Sequence, residues 1–577
     1  MLKRPVDLIL YCVFFSSMFA VAAPVRAAAA TLPHEVCPRP APGAVVPEPE
    51  DLRSENGTLQ VDMHVRNQRQ ADGSWRFCYV LGGGAQAPTL RLHPGDLLVL
   101  RLRNEIEPGT SPDAHAHASA ADPCASGAME LSATNLHFHG LTIPARCHQD
   151  EVLKTSVGAG DPPFEYRFRI PAEEPPGLYW YHPHIHGYST PQVLGGASGA
   201  LVIEGIEQAN REVAGLPERV LLIRDQNLLN PDAPPASSEP VVPKMLIDRD
   251  GDAANNGTGF GKPAKDLSIN YVPIPYPDYP PALISIRPRE RQLWRVLNAS
   301  AITYLNLAVL VNRKPQPLGI VALDGVPLNA NGNAANQIEP RDHIGVPPGG
   351  RVEFIMEGPA LGESGLFVTR TVDTGQGGEN DPNRALALIV PAETAPEPRS
   401  ILAASLAASP QRGTAAPHGS ANTRAWLGDV QPVRVRKLFF SERLRDANNP
   451  NSATDFFLTV DGEEPRAFDP AAVQPNIIVK HGDVEDWIIE NRSSDLHAFH
   501  IHQLHFILVG FDGMSVNEPF LRDTVNVPYY NGRALQYPSV RLRMDFRDPN
   551  AVGTLVYHCH LLEHEDGGMM GTVRVEK

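Results

Sequence analysis

Basic charge is scarce in this 577-residue chain: 50 Lys and Arg stand against 66 Asp and Glu, a formal net charge of -16. That deficit excludes a partner held through a nucleic-acid backbone, which needs a basic face. After the first residues no apolar run approaches the roughly 20 residues that span a bilayer, so stable membrane insertion is not expected. No stretch keeps a sustained 3.6-residue hydrophobic period, which excludes a framework of long helices. Methionine is rare, with 10 residues, and only Met569 and Met570 are adjacent. A thioether-rich segment for soft cations is therefore missing. Cysteine is rarer still, at 6.

What is present points to short strands. Pro 56 and Gly 47 punctuate the chain from end to end. Hydrophobic residues at 42% suffice for several cores, and the length fits three or four domains of about 150 residues. Three units about 190 residues apart share one layout, an extended run, a polar turn and an alternating strand ending near Asn. They are Thr89-Leu-Arg-Leu followed by Gly95-Asp-Leu-Leu-Val-Leu, Ala282-Leu-Ile-Ser-Ile followed by Arg291-Gln-Leu-Trp-Arg-Val-Leu-Asn, and Ile477-Ile-Val-Lys-His-Gly-Asp-Val-Glu-Asp-Trp-Ile-Ile. The repetition predicts a three-fold duplicated β-sandwich, with domains over 36–206, 215–392 and 430–577. An Ala/Pro-rich stretch at 393–429 reads as a linker.

Residues 1–27 read as an export leader: Lys3 and Arg4, an apolar run, then small-residue cleavage sites. The absence of a twin arginine favours the general secretory route, and a periplasmic or secreted destination follows. Cys12 leaves with the leader. Cys37, Cys78, Cys124 and Cys147 can form two disulfides in any of three pairings, and Cys559 is left over. Asp248-Arg-Asp-Gly-Asp fails as a calcium loop, having Ala253 where Gly is required and no Glu at the twelfth position.

Ten of the 21 histidines fall into four groups. They are His137-Phe-His139, Trp180-Tyr-His182-Pro-His184, His497-Ala-Phe-His500-Ile-His502, and His558-Cys559-His560 running on through His564 to Met569. On a strand, residues i and i+2 share a face roughly 6.5 Å apart, so a His-x-His pair can reach one metal or two neighbouring ones. His558 and His560 face one way and Cys559 the other. Cys559 can then share a second metal with His564 and His497, with Met569 as a distant axial ligand. A His₂Cys set with a weak thioether is the pattern of an electron-transfer copper, whereas zinc takes four comparable ligands. His186, His505, His115 and His117 lie outside these pairs and read as non-ligands.

The motifs, in this order and spacing, resemble the multicopper oxidases, the laccase-type family of three cupredoxin domains. The resemblance spans essentially the whole mature chain. It implies an all-β chain of three cupredoxin-like Greek-key β-sandwiches and four copper ions. The type 1 copper would take His497, Cys559, His564 and Met569. The type 2 copper would take His137 and His500. The type 3 pair would take His139, His182, His184, His502, His558 and His560. The three-copper cluster would lie between the first and third domains, with the second as a spacer that walls the substrate approach. Glu565 and Asp150 resemble the family's proton-delivering acids. Ala498 replaces a Pro common in the third motif, and a short insertion at residues 145–150 precedes Asp150.

The implied activity is four one-electron oxidations of a phenolic or aromatic-amine donor, coupled to reduction of O2 to water. The alternative is a metal-ion oxidase for Cu(I) or Fe(II), which the scarcity of methionine disfavours for Cu(I). A copper-sequestering protein without turnover needs no type 3 set. A nitrite reductase would leave six of the histidines unexplained.

Overall fold

A computed structural model describes residues 36–107, 122–125, 129–234, 262–331, 336–401, 425–449, 452–472 and 474–577. The leader, His115, His117, the acidic loop at 248–252 and residues 402–424 of the linker stretch lie outside the described residues. Within them the regular secondary structure is almost all strand. The α-helices are the short Ser189–Leu194, Ile206–Ala209 and Leu562–Asp566.

The strands form six sheets that pack into three sandwiches, as the duplicated units predict. Each sandwich repeats the same two parallel pairings. In one sheet these are Thr58–Arg69 with Leu97–Glu105, Pro217–Gln226 with Arg291–Asn298, and Arg434–Leu444 with Val484–Asn491. In the facing sheet they are Thr89–Leu92 with Gly199–Ile203, Ala282–Ile286 with Arg384–Pro391, and Ile477–Lys480 with Met570–Glu576. Alternation drives the packing. Leu98, Leu100 and Leu102 on one strand meet Leu59, Val61, Met63 and Val65 on its neighbour, and all are buried. Burying each such side chain contributes about 1.5–3 kcal/mol. In the third sandwich Trp487, Ile489, Phe499 and Tyr557 do the same beside Cys559.

Two segments depart from a simple division of the chain. Val46 packs in the second core, and Val45 bridges Leu283, so the N-terminal segment reaches across to the second sandwich. Within the stretch read as a linker, Ser400–Ile401 pairs with Pro217 and Glu218, and Leu427 packs against Val484 and Ile507. The disulfides are Cys37–Cys78 and Cys124–Cys147, and Cys559 is free and buried. The first closes a 41-residue separation, worth about 4 kcal/mol in the loop-entropy account.

A buried ion network joins the first two sandwiches. Arg91 meets Asp51 (2.8 Å), Glu204 (3.2 Å) and Glu218, and Glu218 meets Arg295 (3.0 Å). Arg295 also meets Glu353, which accepts the Leu178 amide at 2.7 Å. Burial alone would raise the Glu218 carboxyl, but the Arg295 and Arg91 guanidiniums outweigh it and hold the group below the usual glutamate range. A depressed folded pKa makes this contribution present above that range and lost as pH falls below it. Glu218→Ala would leave two buried guanidiniums facing each other, at a cost of about 3–5 kcal/mol. Urea denaturation at neutral pH should show that loss as a lower midpoint. A cost below about 1 kcal/mol, typical of a surface pair, would contradict the structural weight given to the network.

Candidate metal centre

Strand pairing brings the histidine motifs together. His137–His139 runs antiparallel to Gly177–His182, with His137 opposite His182. His497–Ile501 runs antiparallel to Gly553–Cys559, with His500 opposite His558 and Phe499 opposite Cys559. The two pairs meet where the first and third sandwiches join. His137, His139, His182, His184, His500, His502, His558 and His560 are all buried there. His184, His502 and His558 converge with ring nitrogens within 4.8 Å of one another. The rings of His139, His182 and His560 lie 5.1–5.8 Å apart. His137 and His500 complete the set at 6.1 Å. Stacks of His137 on His502 (3.8 Å) and His139 on His500 (3.9 Å) tie these subsets together.

Outer hydrogen bonds fix the rings. His137 Nδ1 lies 3.0 Å from both Asp150 oxygens. His182 Nδ1 meets the Pro183 carbonyl (3.0 Å), His500 Nδ1 the Asp523 carbonyl (2.8 Å) and His558 Nδ1 the Cys559 carbonyl (2.9 Å). Nε2 of His137, His182, His184 and His500 and Nδ1 of His139 have no partner although buried. Such an orphaned group costs about 1–3 kcal/mol. Burial first, then the neighbouring imidazoles, pushes His139, His182, His184, His500, His502 and His560 well below the ordinary histidine pKa. Burial holds His558 at about 3. Rings kept neutral with free lone pairs turned inward are the donor set a transition metal needs. The residues fit copper.

The second group lies on the other face of the same strand. Cys559 Sγ is 3.5 Å from His497 Nδ1 and 3.9 Å from His564 Nδ1, and the two nitrogens are 3.2 Å apart. Burial holds both histidines at about 3 and pushes the thiol up. A bound metal reverses that penalty by taking the thiolate. Met569 is fully buried, its carbonyl accepts the Cys559 amide at 3.1 Å, and its own amide donates to the His564 carbonyl at 2.8 Å.

The two acids lie at the eight-histidine group. Glu565 is fully buried, with Oε1 3.2 Å from Ser189 Oγ and 3.7 Å from His184 Nδ1. Burial, then Asp566, raises its carboxyl well above the usual range. Asp150 instead accepts from His137, from the Phe138 amide (2.8 Å) and from Gln503. Of the histidines read as non-ligands, His186 packs on Phe468, and His505 meets the Asp324 carbonyl at 3.2 Å.

The second sandwich, which the sequence suggests is a spacer that walls the substrate approach, also reaches the eight-histidine group. Gly349 (φ +83°) sits where a Cβ would fall 2.8 Å from the His560 ring. Arg351 forks onto Asp523, which faces His139. Gly140 makes room for that guanidinium, since a Cβ there would lie 2.4 Å from Arg351 Nη2. The turn Pro347-Pro-Gly-Gly-Arg351 was the available signal, but it carries no ligand-type residue.

Two family models described as multicopper oxidase match residues 128–208 and 443–577, the segments that carry the four motifs. A multicopper oxidase of Staphylococcus aureus is 22% identical over 91% of this chain and 90% of its own length. A laccase of Haloferax volcanii is 24% identical over 95% and 86%. A solved multicopper oxidase from Campylobacter jejuni, titled a metallo-oxidase, superposes with a TM-score of 0.61 at 21% identity, covering 93% of this chain and 96% of that one. Residues 128–208 and 443–577 thus match as multicopper oxidase domains on a cupredoxin-like fold, and copper and oxidoreductase chemistry are what that family implies.

Gly349→Ala tests the contact from the second sandwich. A non-glycine residue in this left-handed conformation costs about 1–2 kcal/mol, and its methyl group would displace His560. The expected result is a folded protein with reduced copper content by elemental analysis. Wild-type copper content would show that His560 has room to spare.

Proposed function

We propose that this chain is a laccase-type oxidase using O2 as electron acceptor and holding four coppers. His497, Cys559, His564 and Met569 would hold the type 1 ion. His137 and His500 would hold the type 2 ion, and His139, His182, His184, His502, His558 and His560 the type 3 pair. Copper supplies the one-electron couple that joins four donor oxidations to the four-electron, four-proton reduction of O2 to two waters. The observation that carries this reading is the tripeptide 558–560. Its Cys559 belongs to one ligand group and its two histidines to the other, so a few backbone bonds connect them.

The surrounding residues have separable tasks. The buried imidazoles exclude water from the joint and keep their lone pairs free. Glu565, buried between Ser189 and His184, is placed to pass protons to that pocket. Asp150 holds the His137 ring, and its contacts support orientation more directly than proton delivery. His564 is the entry point for electrons, because its side chain is 12% exposed where that of His497 is fully buried. Phe456 stacks on it at 4.3 Å and offers an aromatic donor a flat contact.

A second reading, a metal-ion oxidase, is favoured by one feature. Glu442 lies 3.4 Å from His497, and Asp495 lies 3.7 Å from His564. Carboxylate oxygens suit Fe(II) better than the softer Cu(I). Storage without turnover gains nothing from ligands shared between two sandwiches. A secreted or periplasmic site is supported by the leader and two disulfides. No helix among the described residues is long and apolar enough to cross a membrane.

Oxygen uptake driven by a phenol, compared with uptake driven by Fe(II) or Cu(I), decides between the two readings. The phenol is expected to give the highest kcat/KM, and a clear excess for a metal ion would overturn the laccase reading. Cys559→Ser should lose the blue absorption and phenol oxidation together; retained phenol turnover would mean electrons enter elsewhere. Glu565→Gln should keep copper and colour but turn over at least about 10-fold more slowly, as expected for loss of a positioned acid. A wild-type rate across acidic and neutral pH would assign proton delivery to another group.

A further inference from the structure

Asp523 lies outside every histidine motif, yet it contacts all three sandwiches at the joint. Its carboxylate takes both Nη atoms of Arg351 (2.7 and 2.6 Å) and the Thr524 hydroxyl (2.8 Å). Oδ1 is also 3.2 Å from His139 Nε2. Its carbonyl oxygen is 2.8 Å from His500 Nδ1, and its amide donates to Asp324 Oδ2 at 3.1 Å. His139 comes from the first sandwich, Arg351 and Asp324 from the second, and His500 from the third. Asp523, Arg351, His139 and His500 are all buried.

Hydrogen-bond chemistry then fixes two protons. A neutral imidazole has one N–H and one lone pair. Arg351 and Thr524 both donate to the Asp523 carboxylate, so toward His139 it acts as an acceptor. His139 therefore carries its hydrogen on Nε2 and leaves Nδ1 free, and that atom is buried without a partner. The Asp523 carbonyl can only accept, so His500 carries its hydrogen on Nδ1 and leaves Nε2 free, likewise buried without a partner. One residue thus turns opposite nitrogens of two rings, stacked 3.9 Å apart, toward the same centre. His137, His182 and His558 are held at Nδ1, as His500 is, which makes His139 the exception among them.

We propose that Asp523, clamped by Arg351, is the positioning residue that selects the ligating nitrogens of His139 and His500. Through it the second sandwich, which supplies no ligand, governs copper loading at the joint. The inference rests on the proposed copper reading of the eight histidines. Removing an outer partner of a metal-bound histidine typically costs 10–100-fold in affinity.

Asp523→Asn and Arg351→Lys test it. The asparagine offers one oxygen and one NH2. With Arg351 on the oxygen, the NH2 faces His139 and demands the other tautomer. Competitive chelation should show copper at the joint held about 10–100-fold more weakly in both variants, with an altered EPR signal from the non-blue copper. The blue absorption should persist, because Cys559, His497 and His564 do not touch Asp523. Wild-type copper affinity and EPR in both variants, with only a lower melting temperature, would reduce Asp523 to a structural role and overturn the proposal. Neutron diffraction from wild-type crystals needs no variant: hydrogens on His139 Nε2 and His500 Nδ1 are expected, and one on His139 Nδ1 or on Asp523 would overturn it. A wild-type protein that binds no copper at the joint would instead overturn the functional reading on which this one rests.

Discussion

Eight histidine rings are buried together between two sandwiches, and a metal held there needs their lone pairs free. That requirement sets the terms for the surrounding structure. Burial lowers the pKa of His139, His182, His184, His500, His502, His558 and His560, and the outer nitrogens of His137, His139, His182, His500 and His558 are tied to carbonyls or carboxylates. The inner nitrogens of His137, His139, His182, His184 and His500 are left without protein partners, a state favourable only if a metal supplies the missing bond. The sandwiches are the means to this end. A strand places alternate residues on opposite faces, so 558–560 sends two histidines to the joint and Cys559 into the third core.

The second sandwich holds none of the proposed ligands, yet the joint depends on it. The Arg91–Glu218–Arg295–Glu353 network locks it to the first sandwich. Gly349 and Arg351 press against the rings and their supports. Its segment near Gly375 also bridges Asp495, beside the Cys559 group. A three-fold repeat with ligands in two of its copies is consistent with this division of labour.

The histidine motifs were legible in the sequence because period-two spacing converts directly into a shared face. The three units at 89–102, 282–298 and 477–489 were legible for the same reason, and their parallel pairings recur in the structure. Asp523 and Arg351 were not legible. They are 172 residues apart, neither belongs to a motif, and only the tertiary fold brings them together. Disulfide pairing was equally closed to reasoning from spacing, since all three pairings were open until the sheets placed Cys37 beside Cys78. Asp150 was found as a candidate acid, but whether it delivers protons or orients His137 depends on contacts that the insertion before it obscured.

Copper position tests the central claim most directly. Anomalous X-ray scattering at the copper edge, from crystals of the copper-loaded protein, should give four peaks. One should lie among His497, Cys559 and His564, and three among the eight histidines at the joint. Peaks at the zinc edge instead, or copper beside Cys559 with none between the first and third sandwiches, would contradict the account.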